Sequence, residues 1–182
     1  MRKRLSRKFY TNNTLKVARE LLGKYIIRKI GNKKLIGKII ETEAYIGQKD
    51  KASHAYHGKI TKRNQAEYLI GGHIYIYLVY GMYWQLNIST FKAGKPECVL
   101  IRAIEPINEA PQLANGPGKL CRWLKLDKSF YAEDLTRSKR IWIEDWGKDI
   151  NSKNIKRTAR VGIDYAGPYW SKIKWRFIFQ KD

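Results

Sequence analysis

Along residues 14–23 the apolar positions Leu15, Ala18, Leu21 and Leu22 fall on one helical stripe. Thr14 is placed to cap that helix and Gly23 to end it. The pattern then turns β-like. Tyr25–Ile30 and Lys34–Tyr45 read as two strands joined through Gly31-Asn32 as a hairpin. Residues 46–72 follow neither period and are rich in Gly, Lys and His; an irregular stretch of that length in a compact domain is usually functional. Strand patterns return over 73–80, 83–90 and 98–104, and Gly116-Pro-Gly118 opens a short helix from Lys119 to Lys125. Arg140–Ile143, Arg160–Ile163 and Lys174–Phe179 close the chain with β character. No repeat, low-complexity tract or linker divides it. The expectation is one α/β domain of the α+β type over residues 1–182, with a mixed, mostly antiparallel sheet and short flanking helices.

Within the run from His73 to Asn87, Tyr75, Tyr77, Tyr80, Tyr83 and Trp84 crowd together. Alternation puts Tyr75 and Tyr77 on one strand face and Ile74, Ile76 and Leu78 on the other. Tyr80 stands before Gly81, where a bulge or turn would push its ring out of the sheet. A buried aromatic strand accounts for such a run as well as a stacking surface does.

Charge changes that balance. The 182 residues carry 37 Lys and Arg against 16 Asp and Glu, a formal charge of +21. Such an excess implies a polyanionic partner, with DNA or RNA ahead of an anionic membrane. A hydrophobic fraction of 43% with six tryptophans speaks for a folded domain and against a disordered basic tail. Cys98 and Cys121 are the only cysteines, and reduced thiols in a cytoplasmic protein are expected of them. The basic N-terminus is not followed by an apolar signal segment, and no stretch is long enough for a membrane span.

Four segments carry candidate chemistry. Ile39, Glu41, Glu43 and Tyr45 alternate onto one strand face, and carboxylates in so basic a protein need a task or a basic partner. One of the two glutamates is suited to act as a general base and the other to anchor a basic side chain; spacing does not choose between them. His54 and His57 lack the further ligands of a metal site. The loop Gly58–Asn64, with Lys62 and Arg63, suits phosphate contacts or an ordinary solvated charge run. Asn115-Gly-Pro-Gly-Lys119 is not a nucleotide-binding P-loop, yet it sets glycines and a lysine at a helix start.

Glu41-Thr-Glu-Ala-Tyr45, Asp50-Lys-Ala-Ser-His54, Ile76-Tyr-Leu-Val-Tyr-Gly-Met82, Leu86-Asn-Ile-Ser89, Val99–Pro106 and Asn115–Cys121, taken in order, resemble the alkyladenine (3-methylpurine) DNA glycosylase family. Arg160-Val-Gly-Ile and Trp175-Arg-Phe extend the resemblance over nearly the whole chain. It implies a curved antiparallel sheet and a monomeric, monofunctional base-excision enzyme acting on damaged double-stranded DNA without metal or organic cofactor. Residue by residue, it makes Glu43 the general base and Tyr80 the minor-groove wedge. Tyr45, His54 and Tyr77 become the walls of the base pocket, and Asn87 a residue that disfavours guanine. Arg102, Gly118, Lys119, Lys62 and Arg63 are expected at the DNA backbone. Trp123, Lys125 and the charged stretch 130–157 depart from the family pattern. A non-catalytic nucleic-acid-binding domain is the competing reading; it explains the charge and the aromatics but leaves Glu43 beside Tyr45 without a purpose.

Overall fold

In the computed structural model, which describes residues 2–148 and 150–180, β2 (Tyr25–Ile30) and β3 (Lys33–Ile46) form the expected hairpin. Gly31 turns it at a φ of +56°, a left-handed conformation that glycine adopts without steric penalty. Ahead of them lie β1 (Lys3–Arg4), α1 (Arg7–Tyr10) and α2 (Thr14–Glu20). After them come β4 (Ile74–Val79), β5 (Tyr83–Ser89), β6 (Glu97–Pro106), α3 (Pro117–Trp123), β7 (Ile141–Asp145), β8 (Ile155–Thr158), α4 (Gly167–Lys172) and β9 (Arg176–Phe179). The strands run β1-β7-β2-β3-β6-β5-β4, and β9, carrying β8, joins the C-terminal half of β3. Every pairing among these strands is antiparallel, so the sheet is not mixed.

Several expectations shift. Asn13, not Thr14, caps α2: its side chain accepts the Leu15 and Lys16 amides at 3.1 and 3.3 Å. Thr14 is buried instead and meets the Thr90 hydroxyl at 2.8 Å. Residues 160–163 form no strand, because Arg160 is drawn into the interior by an acid described below. The helix α3 starts at Pro117, two residues before the expected Lys119, as suits a proline at the first helical position. It ends where Lys125 takes a φ of +51°. Trp123 packs against the main core while its indole N–H donates to Glu109.

Register decides what each face of the sheet holds. Ala44, Val99, Ile88 and Ile74 stand in one row across β3, β6, β5 and β4, all buried in the main core. The helix α2 lies on this side, its Ala18 carbonyl accepting from the Thr42 hydroxyl at 2.8 Å. The alternate row is Glu43, Leu100, Asn87 and Tyr75, with Tyr45 paired to Cys98 beside it. These residues face away from the main core. A second, smaller cluster of Ala66, Tyr75 and Cys98 with Tyr45, Tyr77 and Tyr131 forms there.

Two slips interrupt the β3–β6 ladder, one between Ile39 and Glu41 and one between Glu41 and Thr42. Ile40 on β3 and Arg102 on β6 are therefore left without a cross-strand partner. This corrects the simple alternation expected for 39–45. Ile39 belongs to the main core, whereas Glu41 and Glu43 do not.

The irregular stretch 47–55 is fixed to this frame by charge. Asp50 and Arg160 are both wholly buried and pair through two contacts, Nη1–Oδ2 at 2.5 Å and Nη2–Oδ1 at 2.9 Å. Arg160 Nη1 also donates to the Ala44 carbonyl at 3.0 Å, and its guanidinium lies 4.7 Å from the Tyr45 ring centre and 5.1 Å from that of Trp175. Asp50 in turn accepts the Ile46 and Ala52 amides. Removing one partner of a buried pair strands the other charge, at a cost of about 3–5 kcal/mol. Asp50→Ala is expected to lower the free energy of urea unfolding by about that amount, and a loss below ~1 kcal/mol, the scale of a surface pair, would contradict the assignment.

Candidate active site

The face opposite the main core opens into a cleft of about 460 Å³ lined by Tyr45, His54, Arg63, Tyr77, Asn87 and Arg102 among others. Seven of the residues marked in the sequence for a pocket or for DNA, these six and Tyr80, thus come together with the two bulged strands at their floor. Glu43 lies behind this lining, in contact with Tyr45, Val161 and Arg102, which form part of it.

Its side chain is 0% exposed and every contact is specific. Oε1 accepts the Val161 amide at 2.9 Å and lies 3.5 Å from Arg102 Nη1, while Oε2 accepts the Tyr45 hydroxyl at 2.9 Å. Burial pushes the Glu43 carboxyl up from its ordinary value, against the opposing pull of Arg102, of the Val161 and Tyr45 hydrogen bonds, and of Arg176. A carboxylate made more basic but kept hydrogen-bonded is suited to accept a proton near neutral pH. Glu41 differs in kind. Arg102 Nε and Arg176 Nε both donate to its Oε1, at 2.9 and 2.6 Å. Two guanidiniums neutralise it, so the structure separates the pair that spacing left open: Glu41 anchors arginines and Glu43 faces the cleft side with a raised proton affinity.

Arg102 is thereby engaged with both glutamates and only 17% exposed in its side chain. The unpaired bulge position on β6 aims it at them. Its nearest charges are carboxylates of this chain, which gives it an electrostatic task at Glu43.

The aromatic wall is built by β4 and the 52–58 segment. Tyr75 and Tyr77 share a face as expected, their ring centres 5.0 Å apart. The His54 ring meets Tyr77 edge-on at 4.7 Å and its Nδ1 pairs with the Tyr75 hydroxyl at 2.6 Å. Tyr75 is therefore more than core packing. It orients His54, a link for which the sequence offered no signal beyond the shared face. Arg63 lies 4.8 Å from the Tyr77 ring centre and donates to the Leu78 carbonyl at 3.1 Å. Burial together with the Arg63 charge takes the His54 pKa down to about 4, so the imidazole is neutral at pH 7. Asn87 is buried, its amide donating to the Gln85 carbonyl at 3.3 Å.

Tyr80 occupies the rim. It has a φ of +51° and Gly81 one of +68°, and the Met82 amide closes the turn on the Val79 carbonyl at 3.1 Å. Two positive φ values in succession put Tyr80 and Gly81 at the centre of the turn in the three-residue connection 80–82, and holding a tyrosine there costs about 1–3 kcal/mol. The strain goes with a ring that is 85% exposed, beside the exposed Met82. Asn115, Gly116, Gly118 and Lys119 flank this hairpin. Gly118 has a packing reason to be glycine, since a Cβ there would come within 2.9 Å of the Tyr83 ring. Lys119 is exposed, with Nζ 3.0 Å from Asn115 Oδ1. Lys62 is exposed and outside the residues that line the cleft.

One cleft residue escaped the sequence reading altogether. Glu67, in the short 3-10 segment Gln65–Tyr68, is buried at 2% exposure beside Cys98, whose Sγ lies 3.5 Å from its Oε1. It sits in a stretch without periodicity, and only the charged residue itself could have drawn notice. Among the described residues no cluster of His, Cys, Asp and Glu could hold a metal ion, and no helix is long and apolar enough to cross a membrane.

Residues 8–182 match the protein family described as methylpurine-DNA glycosylase. A protein of Clostridioides difficile named a "putative 3-methyladenine DNA glycosylase" is 41% identical over 204 residues, covering 97% of this chain and all of that one. Proteins of the same name from Natranaerobius thermophilus and Borrelia garinii are 39% and 40% identical, each over 97% of this chain and 96% of their own length.

The depressed His54 pKa has a direct consequence for stability. Between pH 6.5 and 4 the unfolded chain takes up a proton at this histidine that the folded chain refuses, so folding weakens as pH falls through that window. Wild type should therefore lose urea stability relative to His54→Gln as the pH is lowered from 6.5 to 4. Parallel pH profiles for the two proteins would contradict a neutral, enclosed imidazole.

Proposed function

The chain belongs to the methylpurine-DNA glycosylase family, and on that premise we propose that it is a monofunctional hydrolase that excises alkylated or deaminated purines from double-stranded DNA. The observation that carries this reading is the buried Glu43 carboxylate, hydrogen-bonded by Val161 and Tyr45, two residues lining an aromatic cleft whose rim bears an exposed, strained Tyr80.

A glycosidic bond inside a duplex is out of reach of any such carboxylate, so the nucleotide must be extruded, at roughly a few kcal/mol. Stacking returns about 1–3 kcal/mol per base, and Tyr45, Tyr77 and His54 offer the faces for it. Tyr80 projects from a three-residue connection whose backbone leaves it little freedom to fold back, which suits a wedge that fills the vacated stack. Damaged or mispaired bases resist extrusion less, and this contributes to selection.

At the extruded nucleotide, Glu43 accepts a proton from water as the water oxygen bonds to C1′. The C1′–N bond breaks with its electron pair leaving on the base. Positive charge that builds on the sugar is stabilised by the same carboxylate. Arg102, 3.5 Å from Glu43, opposes the rise in its proton affinity that burial causes, and Glu41 holds Arg102 in place. Asn87, fixed by the Gln85 carbonyl, faces the base and sets its preference against guanine. Arg63 at the cleft, Lys119 and the Gly118 backbone beside the Tyr80 hairpin, and the exposed Lys62 suit phosphates, with the +21 charge supplying long-range attraction. In this scheme a monomer suffices, no cofactor enters, and a DNA partner places the protein with the chromosome in the cytoplasm.

The test is a duplex carrying one 3-methyladenine or hypoxanthine, followed by alkaline cleavage of abasic sites. Wild type should yield a cut strand, and Glu43→Gln should lower single-turnover excision by at least about 10²-fold, the lower range for a positioned proton acceptor, while binding damaged duplex nearly as well. Substantial turnover by Glu43→Gln would move the base role elsewhere. No cut strand from wild type on either duplex would favour a non-catalytic nucleic-acid-binding domain.

A further inference from the structure

Glu67 is a carboxyl without an evident structural reason to be one. It is 2% exposed, lines the same cleft as Tyr45, Tyr77 and Asn87, and forms no ion pair among the described residues. Its Oε1 is reached by the Cys98 thiol at 3.5 Å, and the same sulfur lies 3.9 Å from Asn87 Oδ1, so acid, thiol and base-reading amide form one chain along the cleft. Its Oε2 has no hydrogen-bond partner at all. A buried, unpaired oxygen of this kind destabilises the fold, and its persistence calls for a functional reason such as a ligand that supplies the missing partner.

We propose that Glu67 is the general acid of this site: a neutral carboxyl that gives its proton to a basic ring nitrogen of an extruded uncharged purine. This rests on the glycosylase reading above. The groups acting on Glu67 from neighbouring elements are Asp50, the Cys98 thiol and the Asn64 side chain, whose amide nitrogen donates to the His54 and Lys59 carbonyls; the Glu67 charge is felt at Tyr68, Tyr75, Tyr77 and Tyr131. Burial dominates and pushes the carboxyl up to about 8, so it carries its proton at pH 7. The step balances: the Glu67 proton moves to the base nitrogen and the C1′–N pair leaves on the base. The attacking water gives up its proton to Glu43, and solvent exchange restores both carboxyls. An alkylated purine that is already cationic needs no such proton. The site thus divides its labour between Glu43, on the sugar, and Glu67, on the leaving base.

The experiment compares single-turnover excision of hypoxanthine, a neutral base, with that of 3-methyladenine, a cationic one, in wild type and Glu67→Gln. Glutamine keeps the shape and a hydrogen-bond donor but has no proton to transfer. Hypoxanthine excision should fall by about 10²-fold or more, while 3-methyladenine excision stays within about threefold and serves as the control for folding. In wild type, hypoxanthine excision should also decline above about pH 8, a limb absent for 3-methyladenine and lost in Glu67→Gln. Equal losses on both bases, an unchanged limb, or wild type that excises 3-methyladenine but never hypoxanthine would each overturn the acid role. Wild type inert on both substrates would instead overturn the glycosylase reading on which it rests.

Discussion

The buried pairing of Asp50 with Arg160 is the constraint on which the site depends. It joins three parts of the chain that sequence distance keeps apart: the loop after β3, the end of β3 at Ala44, and the segment entering α4. Because Arg160 is locked, the next residue, Val161, presents its amide to Glu43 at 2.9 Å. Because Asp50 is locked, the loop to His54 runs along the cleft wall. An arginine between Tyr45 and Trp175 is also a platform on which the Tyr45 ring is held, and Tyr45 donates the second hydrogen bond to Glu43. A buried ion pair is weak evidence for stability as such. Its value here is geometric, since two of the donors that hold the carboxylate hang from it.

The second constraint is the paired slip in the β3–β6 ladder. A regular ladder would alternate Arg102 and Glu41 through fixed positions; leaving Ile40 and Arg102 unpaired brings the guanidinium onto both glutamates. The outcome is a graded set of acids inside a very basic protein. Glu41 is neutralised by two arginines, Glu43 is buried with one at 3.5 Å, and Glu67 is buried with none paired to it. Burial raises the proton affinity of Glu43 against the pull of Arg102, and at Glu67 it acts with no paired cation to oppose it. The same fold can therefore present a carboxylate to a sugar and, in the inference drawn above, a carboxylic acid to a base.

Much of this was legible in the sequence, for identifiable reasons. The hairpin β2–β3, the strands β4 to β6 and the helix α2 announce themselves through period and turn residues, and the Tyr77/Tyr80 division follows from alternation meeting Gly81. The structure adds that Tyr80 itself takes the left-handed conformation, making the turn tighter than a bulge. What remained hidden was non-local. The bulges at Ile40 and Arg102 leave no mark on alternation, so Ile39 was grouped with the glutamates it does not join. The segment 160–163 looks like a strand because Val161 and Ile163 alternate, yet Arg160 turns inward to an acid 110 positions earlier. The Tyr75–His54 contact and the buried Glu67 depend on the folding of 46–72, which has no periodicity to read.

The central claim is that Glu43 stands ionised beside the sugar as positive charge develops there. The most direct measure is the affinity for a duplex whose target nucleotide is replaced by a cationic pyrrolidine abasic mimic, compared with the neutral tetrahydrofuran analogue. The account predicts that wild type binds the cation more tightly and that Glu43→Gln loses the difference while keeping its affinity for the neutral analogue. Equal binding of the two mimics by wild type, or a preference that survives in Glu43→Gln, would contradict it.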